Sequence, residues 1–273
     1  MSDATSLAGR VALITGGGTG LGLEIASSFA RRGASVVLAS RGEGHLAAGR
    51  ATLVAEGLTA VTEVCDVRDV HAVRRLVKKI EGELGALDIL VNNAAGNFVR
   101  PAELLPEKAF ANVVDIVLNG TFYASRAAGR AMIAGGRGGV ILNVVATYAW
   151  TGGPGTVHSA AAKAGVLAMT RTLAVEWARH GIRVVAIAPG PFDSTGAADR
   201  LWPSEELAER VRASIPLERF ATREEVAGAC AWLVSEAASY ITGECLTMDG
   251  GAWLGRGILG GDEPIVSVRR RRS

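Results

Sequence analysis

Residues 10–22 read RVALITGGGTGLG, and this stretch decides the fold. The apolar run from Arg10 to Thr15 predicts a short buried strand, and the amphipathic segment LEIASSFARRG that follows the glycines predicts a helix. A glycine-rich turn between a strand and a helix lets the backbone approach a pyrophosphate, which the free N–H groups of the helix start can bind. We therefore predict a dinucleotide-binding turn at this position.

Strand and helix patterns alternate along the rest of the chain. Apolar runs at SVVLAS, TAVTEVCDVRD, LDILVNN, IRVVAIAP and GECLTM predict further strands, and the segment from Val70 to Leu84 is an amphipathic helix. This alternation predicts an α/β fold, a single doubly wound Rossmann-type domain with seven parallel strands in the order 3-2-1-4-5-6-7. We expect the domain to span residues 1–255, with a substrate lid at about residues 193–216 and a variable basic tail at 256–273.

The composition narrows the class of protein. A net charge of +2 gives little support for a nucleic-acid partner, because basic and acidic residues are nearly balanced outside the arginines at 269–272. No apolar run is long enough to span a bilayer, and the acidic N-terminus lacks the apolar core of a signal peptide. The 3 cysteines and 4 histidines show no metal-ligand spacing. We expect a soluble cytoplasmic protein without a metal site.

The second predicted strand ends at Ser40 and Arg41, where the next turn should meet the adenosine ribose of a dinucleotide. A carboxylate at this point would accept a hydrogen bond from the 2′-hydroxyl of NAD, whereas an arginine favours a 2′-phosphate. The sequence therefore favours NADP(H), with the hydroxyl of Thr19 as a second phosphate contact. A solvated loop arginine is the alternative for Arg41.

Two later turns also reach the predicted cofactor edge. Asp66 follows the third strand, where it would bind the adenine amino group or, alternatively, cap the helix that starts near Asp69. Asn92, Asn93 and Ala94 follow the fourth strand, and small residues there suit a backbone that lies against a cofactor ring. Asn92 has the alternative role of bracing neighbouring strands.

The segment from Ile141 to Lys163, ILNVVATYAWTGGPGTVHSAAAK, holds the candidate acid groups. Ser159 lies one helical turn before Lys163, so the two side chains share a helix face. A serine hydroxyl is a weak substitute for a phenol, whose pKa is ordinarily about 10. The nearest phenol is Tyr148, fifteen residues before Lys163. The Gly-Gly-Pro-Gly turn between them could fold its ring back toward the helix.

Motifs along the chain together resemble one enzyme family. TGGGTGLG, NNAAGNF, DIVLNGTF, TYAWTG, SAAAKAG and APGPF are similar to short-chain dehydrogenases/reductases, and in particular to the 2,4-dienoyl-CoA reductase branch, over roughly residues 7–251. Most of that family carries a tyrosine one turn before the lysine. In the resembled branch a serine stands there and the catalytic tyrosine follows the fifth strand, as Ser159 and Tyr148 do here.

The resemblance implies NADPH-dependent reduction of 2,4-dienoyl-CoA thioesters to 3-enoyl-CoA in unsaturated fatty acid breakdown. Asn97 and Tyr148 would bind the thioester carbonyl, and Lys163 would bind the nicotinamide ribose and, with Ser159, order the proton source. Asn119 would support Lys163 through water. The structural alternatives are a turn former for Asn97, a strand-end aromatic for Tyr148 and a helix-interior hydrogen bonder for Asn119.

The resemblance also implies ligand contacts and an assembly. Two helices, one with Asn119 and one at Val157–His180, would form the contact of a homotetramer, although packing of the same small residues against the sheet is the alternative. Pro106 departs from the family pattern, which has a serine near the substrate. The implied cofactor contacts are Gly16, Gly18, Thr19, Gly20, Leu21, Gly22, Arg41, Asp66, Val67, Asn93, Ala94, Lys163, Pro189, Gly190 and Phe192. The implied acyl-CoA contacts are Arg41, Arg68, Phe98 and Arg200, for which solvated surface side chains are the alternative.

Two other functions stay open on the sequence alone. One is an NADP-dependent carbonyl or alcohol reductase, or a 2-enoyl-CoA reductase, on the same scaffold; Pro106 and the variable lid favour it. The other is a non-catalytic NADP(H)-binding protein, which the serine at position 159 would fit. The presence of Lys163, Asn119 and Tyr148 argues against this last reading.

Overall fold

The computed structural model describes residues 4–193 and 204–254. Within these residues a seven-stranded sheet has the order β3-β2-β1-β4-β5-β6-β7, and all its strand pairs are parallel. The predicted fold and strand order are confirmed. The strands are β1 (Val11–Thr15), β2 (Ser35–Ser40), β3 (Ala60–Val64), β4 (Ile89–Asn92), β5 (Gly139–Val144), β6 (Ile182–Pro189) and β7 (Cys245–Met248).

Helices cover both faces of the sheet. On one face, Phe29 of the first helix packs with Val226 and Cys230 of the last. On the other face, Val77 and Leu173 pack against the sheet from two further helices. The helices are α1 (Gly20–Arg31), α2 (Glu43–Ala55), α3 (Val70–Leu84), α4 (Glu107–Val114), α5 (Gly120–Gly135), α6 (Tyr148–Thr151), α7 (Val157–Trp177), α8 (Glu205–Ala213) and α9 (Arg223–Val234).

The central strands are buried on both faces, which accounts for their continuous apolar sequences. β1, β4 and β5 are buried along their whole length, and their apolar runs are typical of strands covered on both faces. β1 pairs with β2 on one side and with β4 on the other, where Ala12 lies opposite Ile89. The carboxyl ends of these strands meet at one edge of the sheet, which is the edge where such folds bind ligands.

The start of α3 decides one alternative that the sequence left open. The carboxylate of Asp69 accepts hydrogen bonds from the backbone N–H groups of His71 (2.8 Å) and Ala72 (3.1 Å). Asp69 is therefore the cap of this helix, and Asp66 is free for another role.

Several local elements differ from the sequence-based expectation. Tyr148 begins the short helix α6 instead of ending a strand, and α7 stops at Trp177, followed by the tight helical turn Ala178–His180. Between α4 and α5, the segment Asp115–Asn119 is a π-helical turn, so Asn119 does not lie in a regular long helix. Helix α6, the turn Ala178–His180 and the π-helical turn are only three to five residues long, too short to show a helical period in the sequence.

The expected lid also contains a helix that was not predicted. α8 occupies Glu205–Ala213, and the hydroxyl of Ser204 caps it by accepting from the backbone N–H of Leu207 (3.2 Å). Acidic residues in its first turn and arginines in its last turn favour the helix dipole. The expected contact Arg200 and the tail at 256–273 lie outside the described residues. Nowhere in residues 4–193 and 204–254 does a helix combine the length and apolarity needed to cross a membrane.

Candidate active site

The turn between β1 and α1 forms the floor of a groove at the carboxyl edge of the sheet. Gly20 has a φ of +54°, and a Cβ there would meet no atom within 4 Å, so its open side faces space that a ligand can fill. A Cβ on Gly22 would overlap the carbonyl oxygen of Gly16. The tight turn therefore requires glycine at position 22, as expected for a backbone cradle of a pyrophosphate.

The turn after β4 is fastened onto this cradle. The hydroxyl of Thr15 accepts hydrogen bonds from the backbone N–H groups of Asn93 and Ala94, both at 3.1 Å. The side-chain amide of Asn93 donates to the carbonyl oxygens of Thr15 (3.1 Å) and Gly16 (3.2 Å). These bonds hold two strand ends together on the same side of the groove.

Asn92 has the bracing role that was its alternative. Its buried side-chain amide donates to the hydroxyl of Ser125 (2.9 Å) and to the carbonyl oxygen of the Asn143 side chain (2.8 Å). These contacts join β4 to β5 and to α5, so Asn92 stabilises the sheet beneath the groove.

The groove has a volume of about 280 Å³ and gathers most of the predicted cofactor residues. Gly18 instead packs against the backbone of His45 on α2. Four further predicted contacts lie outside the lining of this groove: Lys163 on α7, Pro189 at the end of β6, and Gly190 and Phe192 after it. The predicted residues that line it are Gly16, Thr19, Gly20, Leu21, Gly22, Arg41, Asp66, Val67, Asn93 and Ala94. Ser40, placed at this turn by the sequence without being named as a contact, also lines the groove, as do Cys65, Ala95 and Ile116, which were not predicted.

A cluster of charges occupies the end of the groove where the sequence predicts the adenosine. The carboxylate of Asp66, two residues after β3, accepts hydrogen bonds from the Arg68 guanidinium at 2.6 and 3.1 Å. This contact lowers the pKa of Asp66, and the positive charge of Arg41 adds to the effect. Arg68, which was predicted to contact acyl-CoA, is therefore paired with the predicted adenine ligand.

Three polar side chains meet on the other side of the site. The hydroxyl groups of Tyr148 and Ser159 lie 3.0 Å apart, and the side-chain amide of Asn97 donates to the Tyr148 hydroxyl at 3.3 Å. Asn97 follows β4, Tyr148 begins α6 and Ser159 lies in the first turn of α7. The glycine turn after α6 thus brings the tyrosine back to the place one helical turn before Lys163.

The environment of Tyr148 keeps its phenol protonated near neutral pH. Burial raises the pKa of Tyr148, and the hydrogen bond with Ser159 opposes that shift. A protonated phenol can donate a hydrogen bond to an oxygen on which negative charge develops. Because the Asn97 amide donates to the Tyr148 hydroxyl, two groups that can donate hydrogen bonds lie side by side.

Lys163 is buried behind these groups. Its ammonium donates to the carbonyl oxygen of Val144 at 2.5 Å, and burial lowers its pKa to about 8. A lysine with this pKa is still mostly charged at pH 7 and loses its proton within the ordinary range of enzyme assays. Its charge is therefore available at the end of β5, next to the Ser159 side of the helix.

Other predicted residues have contacts of their own. The side-chain amide of Asn119 donates to the Asp115 carboxylate (2.8 Å) within the π-helical turn, so its support of Lys163 through water stays a prediction. Pro106 is the residue before α4, where a proline suits the start of a helix. Phe98 is 38% exposed and stacks on His158, a residue whose part in the site the sequence did not indicate.

Comparisons with known proteins identify the family. A crystal structure of a short chain dehydrogenase from Bacillus anthracis str. 'Ames Ancestor' superposes with a TM-score of 0.86 at 48% identity and covers 91% of this chain and 98% of that chain. The family model described as enoyl-(acyl carrier protein) reductase matches residues 16–252. The chain belongs to the short-chain dehydrogenase family. As a member of this family it is an oxidoreductase that uses a nicotinamide cofactor.

Two relatives within the short-chain dehydrogenases have a named reaction. The chain is 48% identical over 247 residues, which is 90% of this chain and 97% of the relative, to a probable 2,4-dienoyl-CoA reductase [(2E)-enoyl-CoA-producing] of Bacillus subtilis. It is 44% identical over 247 residues, 90% of this chain and 84% of the relative, to a peroxisomal 2,4-dienoyl-CoA reductase [(3E)-enoyl-CoA-producing] of Pongo abelii.

Proposed function

We propose that this protein reduces 2,4-dienoyl-CoA thioesters with NADPH. The observation that carries the proposal is the group formed by Asn97, Tyr148 and Ser159, in which a tyrosine from outside the helix reaches the serine one turn before Lys163. A short-chain dehydrogenase with the tyrosine on the helix would not need this arrangement. The names of the two relatives support the same substrate class.

The groove that the glycine turn builds supports NADPH as the proposed cofactor. The open side of Gly20 would receive the pyrophosphate at the start of α1, and the exposed Arg41 would face the 2′-phosphate. Asp66 would accept a hydrogen bond from the adenine amino group. Its carboxylate would then either keep its bond to Arg68 on the other oxygen or release it. Lys163 would bind the nicotinamide ribose. NADPH, when bound, supplies the hydride.

The chain's own groups account for the rest of the chemistry. When the far carbon of the conjugated diene has gained a hydride, negative charge collects on the thioester oxygen. Tyr148 and Asn97 would donate hydrogen bonds to that oxygen and so stabilise the dienolate, which is the role of an oxyanion hole. Lys163 and Ser159 would then order the group that returns a proton to the α-carbon, and the product is a 3-enoyl-CoA.

The product is the point on which the two relatives differ by name, since one is described as producing the (2E)-enoyl and the other the (3E)-enoyl thioester. Protonation at the α-carbon leaves the double bond between carbons 3 and 4, whereas protonation at carbon 4 leaves it between carbons 2 and 3. Because Lys163 and Ser159 stand beside the donors to the thioester oxygen, we favour protonation at the α-carbon.

A second candidate is a 2-enoyl-CoA or carbonyl reductase on the same scaffold. Pro106 favours it, because this side chain offers no hydroxyl where the resembled reductases have a serine. The same donors, Tyr148 and Asn97, would stabilise the enolate of a 2-enoyl thioester or the alkoxide of a ketone. The two candidates therefore differ in substrate and share their machinery.

The experiment that separates them is NADPH oxidation by the purified protein with a medium-chain 2,4-dienoyl-CoA, the matching 2-enoyl-CoA and a panel of simple ketones. Turnover of the dienoyl thioester, with a 3-enoyl product by NMR, is the expected result. Turnover of ketones or of the 2-enoyl thioester, with the dienoyl thioester inert, would replace the first proposal by the second.

We also propose a homotetramer, formed through α5 and α7. Both helices expose apolar side chains: Val175 on α7 is 82% exposed, and Phe122 and Ile133 on α5 are 44% and 36% exposed. Covering these side chains with a second copy would remove apolar surface from water. Light scattering of the purified protein should give four times the chain mass, and a monomer at micromolar concentration would contradict this assembly.

A further inference from the structure

His158 is a buried side chain that the chemistry above does not use. It is the second residue of α7, its solvent exposure is 0%, and neither of its ring nitrogens makes a hydrogen bond of ordinary geometry in the described part of the chain. Burial lowers the pKa of His158, and a weak hydrogen-bonding contact with the main chain of Phe98 opposes that shift. A buried polar ring held by so little polar contact is unfavourable, so its presence calls for a reason.

Among the aromatic rings of the described residues, Phe98 is the one that stacks on His158. The two rings are stacked with centroids 4.3 Å apart and planes 22° from parallel. The stack joins the loop after β4 to the first turn of α7. Each ring belongs to the immediate neighbour of an active-site residue, since Phe98 follows Asn97 and His158 precedes Ser159.

The main chain of Phe98 controls how Asn97 is oriented. Its backbone N–H donates to the side-chain oxygen of Asn97 at 2.9 Å, and the amide nitrogen of Asn97 is thereby turned to donate to Tyr148. The bond from Asn97 to Tyr148, at 3.3 Å, is long for a hydrogen bond and cannot hold the loop alone. A shift of Phe98 would carry the donor away from the thioester oxygen.

The same loop has a second attachment farther along. The backbone N–H of Arg100 donates to the carbonyl oxygen of Gly155 at 2.9 Å, and Val99 lies against the same glycine. The stack and this bond both connect residues 98–100 to the segment between α6 and α7. The backbone bond is made by Arg100, which is three residues after Asn97. The ring stack is made by Phe98, the residue next to Asn97, so it is the attachment closer to the Asn97 amide.

We propose that His158 is a positioning residue, which stacks on Phe98 as a flat ring and so holds the Asn97 amide toward Tyr148 and the thioester oxygen. The stack lies next to Asn97 and Ser159, on the side of the site proposed for the acyl group, and neither ring lines the groove at the glycine turn. This role rests on the proposed function, since it concerns the donors to the thioester. The ring shape is the property that matters, and a phenylalanine should serve in place of the histidine.

Two variants at this position test the role. His158→Leu puts an apolar side chain of similar size in this place and removes the flat ring. Its kcat with the dienoyl-CoA should fall about 10- to 100-fold, the range expected when a catalytic group is misplaced by about an ångström, while KM for NADPH stays unchanged. His158→Phe restores the stack and should recover most of that loss. Wild-type kcat in His158→Leu, or a loss in His158→Phe as large as in His158→Leu, would overturn the proposal.

A thermal unfolding cycle with Phe98→Leu tests the stack without any substrate. The midpoint loss of the double variant Phe98→Leu/His158→Leu should be smaller than the sum of the two single losses, since both changes remove one contact. Additive losses would overturn the stack as the link. If wild-type protein fails to reduce the dienoyl thioester, the proposed function is wrong, and this cycle still decides whether the two rings are coupled.

Discussion

In the groove proposed for the cofactor, the residues that shape the floor are neighbours in sequence, whereas on the side proposed for the acyl group they come from three separate elements. Gly20 and Gly22 share one turn. Asn97 and Tyr148 are 51 residues apart and meet only because the loop after β4 and helix α6 end at the same edge of the sheet. The comparison teaches that one half of the site is specified locally and the other by the folded sheet.

In the proposed function Lys163 serves both halves, and its replacement should give the largest effect. We expect Lys163→Met to lower kcat about 10³-fold, because the ribose contact and the charge near the proton source are lost together. The same variant should be more stable at pH 7, by roughly 3 kcal/mol for a pKa lowered from 10.5 to about 8, because a buried ammonium is removed. Kinetics and denaturant unfolding measure the two changes.

The exposed residue Lys108 supplies the matched control, and Lys108→Met should change neither quantity. The pH dependence has a defined sign. Since burial lowers the pKa of Lys163 to about 8, the destabilisation by its charge is fully present below pH 8 and is relieved as the pH rises from about 8 toward the ordinary lysine value. Wild-type kcat/KM should fall above pH 8 as the ammonium loses its proton. A flat profile, or a less stable Lys163→Met, would contradict this account of the lysine.

A change at Asn97 should affect only the acyl side. Asn97→Ala removes one of the two donors to the thioester oxygen, and kcat should fall about 10²-fold, the typical cost of one oxyanion-hole donor. KM for NADPH should not move. Steady-state kinetics with both substrates varied gives the two numbers, and Asn112→Ala on the exposed side of α4 is the control. A variant whose main defect is NADPH binding would show that the two halves are not separate.

The smallest effect is expected at the cofactor end. Arg41→Ala should lower the preference for NADPH over NADH about tenfold or more, because a charge-assisted contact to the 2′-phosphate is lost. The exposed Arg50 on α2 provides Arg50→Ala as the control. The ratio of the two kcat/KM values measures the preference. An unaltered ratio would mean that Arg41 is a solvated side chain and that another group binds the 2′-phosphate of NADPH.

The same division explains what the sequence could predict. The glycine turn, Arg41 and the helix Val70–Leu84 follow from local spacing, and the structure has them where they were expected. The strand order follows from the alternation of strands and helices, because parallel strands require crossover connections.

Features that depend on contacts across the fold could not be predicted in this way. Asp66 was predicted to bind adenine and Arg68 to contact acyl-CoA, whereas the structure pairs the two side chains with each other. The bond from Asn119 to Asp115 depends on a π-helical turn without a sequence period. The burial of His158 against Phe98 joins residues far apart in the chain. In each case the contact forms in the folded structure and cannot be inferred from the spacing of residues in the sequence.

The most direct test of the central claim is the rate of dienoyl-CoA reduction by Tyr148→Phe, measured beside Tyr240→Phe, whose tyrosine is fully exposed. Removing the Tyr148 hydroxyl alone should lower kcat about 10²-fold or more, with KM for NADPH unchanged and Tyr240→Phe fully active. Wild-type activity in Tyr148→Phe would contradict the account, because the tyrosine that folds back onto Ser159 would then have no part in the reaction.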